Sequence, residues 1–224
     1  MKQYHYILFD LDGTLTESAE GIQKSFLHAL KRLGAPTDGF DVRKVIGPPI
    51  RDSFMKLCGL SPEQADAGLS YYRERFSKIG IYENRLYEGI DSLLEKLFKC
   101  GVTLATATSK PESYTLEILK YFKIDRFFSQ IAGATLDRSR ATKEAVLDYV
   151  LKRLGSPNPD QVLMVGDTKF DLIGAAAFGI DAVGVSYGYG TREELQAHPH
   201  VYLADTVKAL ETYLLGCVPC ATQL

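Results

Sequence analysis

The 224-residue sequence has only four cysteines, Cys58, Cys100, Cys217 and Cys220, too few and too scattered for a disulfide framework. Cys217-Val-Pro-Cys220 has the spacing of a redox or zinc half-site, but no second pair accompanies it and it sits in a C-terminal tail. Two ordinary thiols are the simpler reading. An excess of either charge is also missing. The net charge is −2 and the pI is near 6.1, which leaves no global field for a nucleic acid polymer or an acidic membrane. No apolar run approaches bilayer length. The first strand-like segment begins within a few residues of Met1, which leaves no room for a signal peptide, so a cytoplasmic protein is expected. Internal repeats and low-complexity segments are absent. What remains is an ordinary globular balance, 46% apolar and 24% charged, on a chain long enough for one large domain or two small ones.

Within that balance one stretch stands out, Tyr6-Ile7-Leu8-Phe9-Asp10-Leu11-Asp12-Gly13-Thr14-Leu15. Four apolar residues make a short buried strand. Period-two alternation in an extended chain sends Asp10 and Asp12 to one side, and Gly13 permits a sharp exit. Two like charges a few ångströms apart repel unless a cation or a shared proton separates them. A strand running into a polar Asp-Gly turn is the competing reading.

The next stretch is helical. Residues 19–33 carry Ile22, Phe26, Leu27, Leu30 and Leu33 on one face, with Thr16 or Ser18 as the cap and Gly34 as the stop. Shorter helical pieces follow at 41–46 and 50–57, and Ser61-Pro62-Glu63 starts another that ends near Gly80. No convincing strand interrupts 16–82, and 82–89 reads as a return linker. From Ile90 the pattern becomes alternation. Strands are expected at 102–107, 129–133, 161–165, 181–185 and 201–203, and helices at 90–98, 111–122, 142–154, 170–178, 192–196 and 206–215. Short apolar strands between helices indicate α/β architecture, a doubly wound parallel sheet covered on both faces. The expected organisation is a Rossmann-like core of 1–15 and 90–224, interrupted by an all-helical insertion of 16–89.

In such a sheet, ligands bind outside the carboxyl ends of the strands, and polar residues collect there. Thr108-Ser109-Lys110 follows one strand, Gly166-Asp167-Thr168 follows another with Asp171 four residues after Asp167, and Lys143 opens a helix. Asp10, Asp12 and Asp167 are hard oxygen donors suited to Mg²⁺. A carboxylate can also act as a nucleophile toward phosphorus, and a neighbouring carboxyl can exchange protons with the leaving group. A hydroxyl beside a helix start holds phosphate oxygens, and a lysine neutralises their charge. Singly, each has a duller explanation: Thr108-Ser109 as a helix cap, Lys143 as a solvated helix residue, Asp171 as an acid of a first helical turn.

Together, Asp10-Leu11-Asp12-Gly13-Thr14, Thr108, Lys143 and Gly166-Asp167-Thr168 with Asp171 resemble the four motifs of the haloacid dehalogenase superfamily. The helical insertion is similar to its C1 cap. Ile46-Gly47-Pro48-Pro49 and Tyr187-Gly188-Tyr189-Gly190 resemble its phosphoglycolate phosphatase-like branch. The resemblance implies Mg²⁺-dependent hydrolysis of small phosphomonoesters, phosphoglycolate or a nucleoside 5′-monophosphate, by a monomer or homodimer. It implies that Asp10 is nucleophile and metal ligand, and that Asp12 is acid/base with its backbone carbonyl on the metal. Thr108 and Lys143 would bind the phosphoryl group, and Asp167 would ligate Mg²⁺ with Asp171 beside it. Thr14 and Ser109 would join the substrate site. Lys110 rivals Lys143 for the lysine role, and Arg51 could reach a substrate anion as a bidentate donor or simply be a solvated helix-start arginine. A sugar phosphomutase on the same core and cap is the alternative activity.

Overall fold

Ile7, Leu8 and Phe9 are fully buried, because their strand has a parallel neighbour on each side. The structure, a computed structural model, describes residues 2–219. The chain divides into two units: residues up to Thr16 together with those from Leu86 onward, and Glu17–Arg85.

The first unit opens with β1 (Tyr6–Phe9). Where the chain passes between the units, β2 (Thr16–Glu17) and β3 (Arg85–Leu86) pair with each other. Between them lie α1 (Ala19–Leu33), α2 (Ile50–Cys58) and α3 (Pro62–Arg75), with a 3-10 turn at Val42–Val45 and a π-helical turn at Phe76–Gly80. The first unit resumes with α4 (Ile90–Lys99), β4 (Thr103–Thr106), β5 (Thr108–Pro111), α5 (Glu112–Tyr121), β6 (Phe128–Gln130) and β7 (Gly133–Ala134). It continues through α6 (Lys143–Arg153), β8 (Val162–Gly166), α7 (Lys169–Ala177), β9 (Asp181–Val185), α8 (Arg192–Gln196), β10 (Tyr202–Ala204) and α9 (Val207–Gly216). No helix among the described residues is long and apolar enough to cross a membrane.

The main sheet has the order β10-β9-β8-β1-β4-β6, parallel at every pair. From β1 the chain winds outward one way through β4 and β6, and the other way through β8, β9 and β10. The strand order therefore reverses beside β1, where open α/β sheets leave a crevice. Phe9 is in register with Thr106 on one side and Val165 on the other, so the residue after it emerges between two strand ends. The α/β class and its doubly wound parallel sheet are thus present as the alternating pattern indicates.

Three local expectations give way to the tertiary structure. The expected strand at 129–133 is two strands, because the sheet breaks at Ile131-Ala132. The Thr106 hydroxyl fills the gap, donating to the Ala132 carbonyl at 2.9 Å and accepting its N–H at 2.8 Å. Pro111, expected inside the first turn of a helix, instead ends β5 and caps α5. The chain from Thr108 stays extended to pair with β7. The 16–82 block does contain a strand residue pair, Thr16–Glu17, because the outgoing chain finds a partner in the returning one.

In the second unit, α1 spans the residues its pattern marks out, and Gly34 closes it with φ 67°, a left-handed geometry that glycine adopts without steric cost. Ser18 stands at its N-cap position but makes no side-chain capping bond. Ile22, Phe26, Ala29 and Leu30 face inward, and Phe26 stacks on Phe54 of α2 with ring centroids 4.2 Å apart. Ser61 and Gln64 form a reciprocal capping box at the start of α3, with Pro62 in its first turn.

Candidate active site

Asp10 follows β1 directly and its N–H donates to the Val165 carbonyl of β8 at 2.9 Å. That bond extends the ladder by one residue and fixes the carboxylate at the strand-order reversal. On the far side of β8, Gly166 ends the strand, and Asp167 and Asp171 lie at the loop and first turn of α7. Carboxylate oxygens of Asp10, Asp167 and Asp171 lie within 4.8 Å of one another, all three residues buried. Lys143, in the first turn of α6, reaches into this cluster. Its Nζ is 2.9 Å from Asp10 Oδ1 and 2.6 Å from Asp171 Oδ1, and donates to the Ala107 carbonyl at 2.8 Å. Burial by itself would depress the lysine pKa, but the Asp10 and Asp171 carboxylates outweigh it and hold the ammonium charged.

The Asp167 carboxylate has no exposed surface. Its Oδ2 accepts the Tyr189 N–H at 2.7 Å and its Oδ1 accepts the Thr14 hydroxyl at 3.3 Å. Burial first, then the Asp10 and Asp171 charges, push its pKa well above the ordinary carboxylate range. Burial likewise raises Asp171, whose Oδ2 accepts both the N–H and the hydroxyl of Thr168, at 3.0 and 2.9 Å. Gly13 takes φ 86°, and a Cβ there would stand 2.1 Å from Asp167 Oδ2. The turn that follows Asp12 therefore requires glycine both for its backbone and for the space.

Asp12 points elsewhere. Its Oδ2 is 2.8 Å from Lys110 Nζ, and its Oδ1 is buried with no hydrogen-bond partner among the described residues. Its carboxylate is not part of the three-carboxylate cluster, so of the four aspartates named from sequence as metal ligands, three converge through their side chains. The two lysines thus divide the pair: Lys143 meets Asp10, and Lys110 meets Asp12. Along β5, Thr108 and Lys110 are buried and Ser109 is only half-buried, the period-two consequence of an extended chain. This places Ser109 on the opposite face from Thr108. Thr108 Oγ1 accepts the Lys110 N–H at 3.2 Å.

Arg51 lies in the other unit, on α2, and its guanidinium is taken up there. Nε and Nη2 meet Asp66 Oδ1 and Oδ2 at 2.5 and 3.0 Å, and Nη2 also donates to the Pro62 carbonyl at 3.3 Å. Cys217 is buried, donates its S–H to the Tyr213 carbonyl at 2.8 Å, and has its pKa pushed up to about 11 by burial. That is the environment of an inert thiol. Its sequence partner Cys220 lies outside the described residues.

Sequence reasoning passed over the loop after β9 as a source of site residues. Besides the Tyr189 N–H on Asp167, the Tyr187 hydroxyl donates to the Thr14 carbonyl at 3.0 Å. A Cβ on Gly188 would come within 2.4 Å of the Gly13 carbonyl oxygen. The alternation of Tyr and Gly was the signal available: small residues where one backbone runs against another.

A parallel sheet with buried carboxylates and a lysine gathered at its strand-order reversal defines the class, an α/β protein of Rossmann-like build with its candidate site at the strand rim. The chain belongs to the haloacid dehalogenase-like hydrolase family, whose sequence profile matches residues 7–185. It is 44% identical over 205 residues to a 5′-nucleotidase of Pseudomonas aeruginosa, covering 91% of this chain and 92% of that one. It is 30% identical over 220 residues to a phosphoglycolate phosphatase of Pseudomonas savastanoi pv. phaseolicola, covering 95% and 79%. The structurally characterised protein tyrosine kinase A (PtkA) of Mycobacterium tuberculosis superposes with a TM-score of 0.82 at 41% identity, over 96% of this chain and 99% of that one. The chain spans 62% of the curated full-length PtkA. The protein is accordingly a hydrolase of this family, with phosphomonoesterases among its relatives.

Proposed function

We propose that the protein is a Mg²⁺-dependent phosphatase that cleaves small phosphomonoesters through a phosphoaspartyl intermediate on Asp10. The supporting observation is the buried meeting of Asp10, Asp167 and Asp171 within 4.8 Å against a single ammonium, Lys143. Three buried carboxylates and one lysine leave this cluster with surplus negative charge and little solvent to screen it. Asp167 responds by holding its proton far more tightly than an ordinary carboxylate. A divalent cation would relieve that repulsion, and hard oxygen donors suit one that takes few protein ligands; Asp10, Asp167 and Asp171 are the residues that would hold it. A bound Mg²⁺ supplies charge neutralisation on a phosphoryl oxygen.

The residues divide the remaining work. Asp10 attacks phosphorus, forming the Asp10–phosphorus bond as the ester oxygen–phosphorus bond breaks. Lys143 orients the Asp10 carboxylate and with Thr108 receives the phosphoryl oxygens. Asp12 gives its proton to the departing alkoxide and then takes one from the water that cleaves the acyl phosphate. The Tyr187–Gly190 loop holds Asp167 and the Thr14 backbone in place. Phosphoglycolate and nucleoside 5′-monophosphates are the substrates favoured by the relatives' activities, in a cytoplasmic setting.

The test is phosphate release from a panel containing phosphoglycolate, 5′-nucleotides and sugar phosphates, with chelator and with Mg²⁺ restored. Activity is expected to vanish and return. Full turnover in a metal-free preparation would rule out the cation, and isomerised sugar phosphate without free phosphate would favour the mutase. A second reading, phosphoryl transfer to a protein tyrosine, has one observation in its favour, the likeness to PtkA. Phosphotyrosine formed from ATP, with no release from the panel, would select it.

A further inference from the structure

The site contains a second buried lysine that the phosphatase reading leaves without a task. Lys110 has 4% of its side chain exposed, and its Nζ lies 2.8 Å from Asp12 Oδ2. Holding an ammonium in the interior costs several kcal/mol of lost hydration unless a partner repays it, so this contact needs a reason. The fold builds it deliberately. β5 runs on beyond the main sheet to pair with β7, and the approach is so close that a Cβ on Gly133 would stand 2.4 Å from the Lys110 carbonyl oxygen. Extended geometry at Thr108–Pro111 then turns Lys110 to the same face as Thr108. On the aspartate side the two oxygens are unequal: Oδ2 is held by the lysine, and Oδ1 is buried with no partner among the described residues. A buried carboxylate oxygen without a donor is costly, and the simplest use for one is an incoming proton.

We propose that Lys110 is a positioning residue for the proton transfer. It clamps Asp12 through Oδ2 so that Oδ1 is the oxygen that gives the proton to the leaving group and later takes one from water. The proposal rests on the phosphatase reading and deepens it. Lys143 serves the attacking carboxylate and Lys110 the proton-transferring one, so neither lysine substitutes for the other. No bond to phosphorus involves Lys110, and the proton it helps to aim leaves from Asp12 and returns there.

Positioning of an acid differs from holding a phosphate in how it depends on the leaving group. An aryl ester such as p-nitrophenyl phosphate departs without a proton, whereas an alkyl ester needs one. Lys110→Met is therefore expected to lower kcat/KM for alkyl phosphates by about 10²-fold and for p-nitrophenyl phosphate by less than about threefold, while Lys110→Arg recovers most of the alkyl activity. In an Asp12→Asn background, Lys110→Met is expected to cost little more, since residues acting as one unit are not additive. That double variant also removes both charges together, so it folds even where the single one is strained. An equal loss for both leaving groups, or a full additional loss in the Asp12→Asn background, would overturn the proposal and give Lys110 a phosphoryl-binding role. A wild-type enzyme inactive on every phosphomonoester would instead overturn the phosphatase reading and this proposal with it.

Discussion

Lys143, with 5% of its side chain exposed, sits between Asp10 and Asp171, at 11% and 0%, in the first unit. In the second unit, Arg32 and Glu74 meet at 46% and 49% exposure, Lys24 and Glu20 at 50% and 62%, and Arg51 faces an Asp66 that is 58% exposed. Both units carry exposed pairs, Lys99–Glu95 in the first among them, and the second also holds a largely buried one, Arg75–Glu83, but the most deeply buried group of charges among the described residues, Lys143 with Asp10 and Asp171, lies in the first. Exposed pairs contribute roughly 0–1 kcal/mol because water competes for both partners. Buried pairs rarely repay the hydration they forfeit, so a fold that keeps several together at one strand rim keeps them for chemistry. The second unit is held instead by its apolar helix faces, as in the Phe26–Phe54 stack.

Breaking the first unit's charges should therefore destroy function, and breaking the second unit's should adjust stability. The largest effect is expected for Asp10→Asn, with loss of the nucleophile costing on the order of 10⁶ in kcat. Intact-mass measurement after mixing with p-nitrophenyl phosphate should show no adduct. Asp12→Asn should cost roughly 10²–10⁴ and accumulate a phosphorylated form that decays slowly. An adduct on Asp12 in the Asp10→Asn protein would reverse the two roles. Gly13→Ala comes next: a non-glycine residue at positive φ costs about 1–3 kcal/mol, and the clash with Asp167 adds to it. A lowered melting temperature together with lost activity is expected, and an unaffected enzyme would show that the turn can reshape.

In the second unit, hydrogen bonds from Arg75, at 2.8 and 2.9 Å, hold the Glu83 pKa below its ordinary value, with Lys24 assisting. The folded state thus binds this proton less readily than the unfolded chain. The stabilisation is complete above the unfolded value, about 4.3, and is lost as pH falls through the folded one. Glu83→Gln should lower stability by up to about 1 kcal/mol near neutral pH, and the difference from wild type should close in acid; a pH-independent difference in melting temperature would assign the effect to packing. The smallest change is expected for Arg51→Ala, with its partner Asp66 largely in solvent. Melting temperature and kcat should barely move. A rise of tenfold or more in KM would give Arg51 the anion-binding role that its place after Gly47-Pro48-Pro49 allows.

Much of the fold could be read from local pattern. The limits of α1, β9 and α8 coincide with those the sequence indicates, helped by Gly34 closing α1, the Thr191 cap opening α8 and the apolar run that follows Asp181. Errors occur where a residue's partner is distant in sequence. Thr106 splitting β6 from β7, and Thr16–Glu17 pairing with Arg85–Leu86, depend on segments 26 or more residues away. The candidate site follows the same division. Asp10, Asp12, Asp167 and Lys143 stand out because their types and places at strand ends are local facts. The Tyr189 N–H on Asp167 does not, since a backbone donor carries no residue-type signature.

The sequence by itself determined most of the strands and helices, that the strands of the core lie in a parallel sheet, and that carboxylates, hydroxyls and a lysine stand near the strand ends. Spacing and apolar periodicity act over a few residues, and those are the distances at which a chain can be read directly. Which lysine meets which aspartate was decided only by the tertiary structure. Lys110 and Lys143 are chemically alike, and which carboxylate each one meets has no local signature. The extension of β5 along β7 sends one to Asp12, and the position of α6 sends the other to Asp10 and Asp171. Charge pairing across the chain depends on three-dimensional distance, and that distance exists only once the sheet has formed.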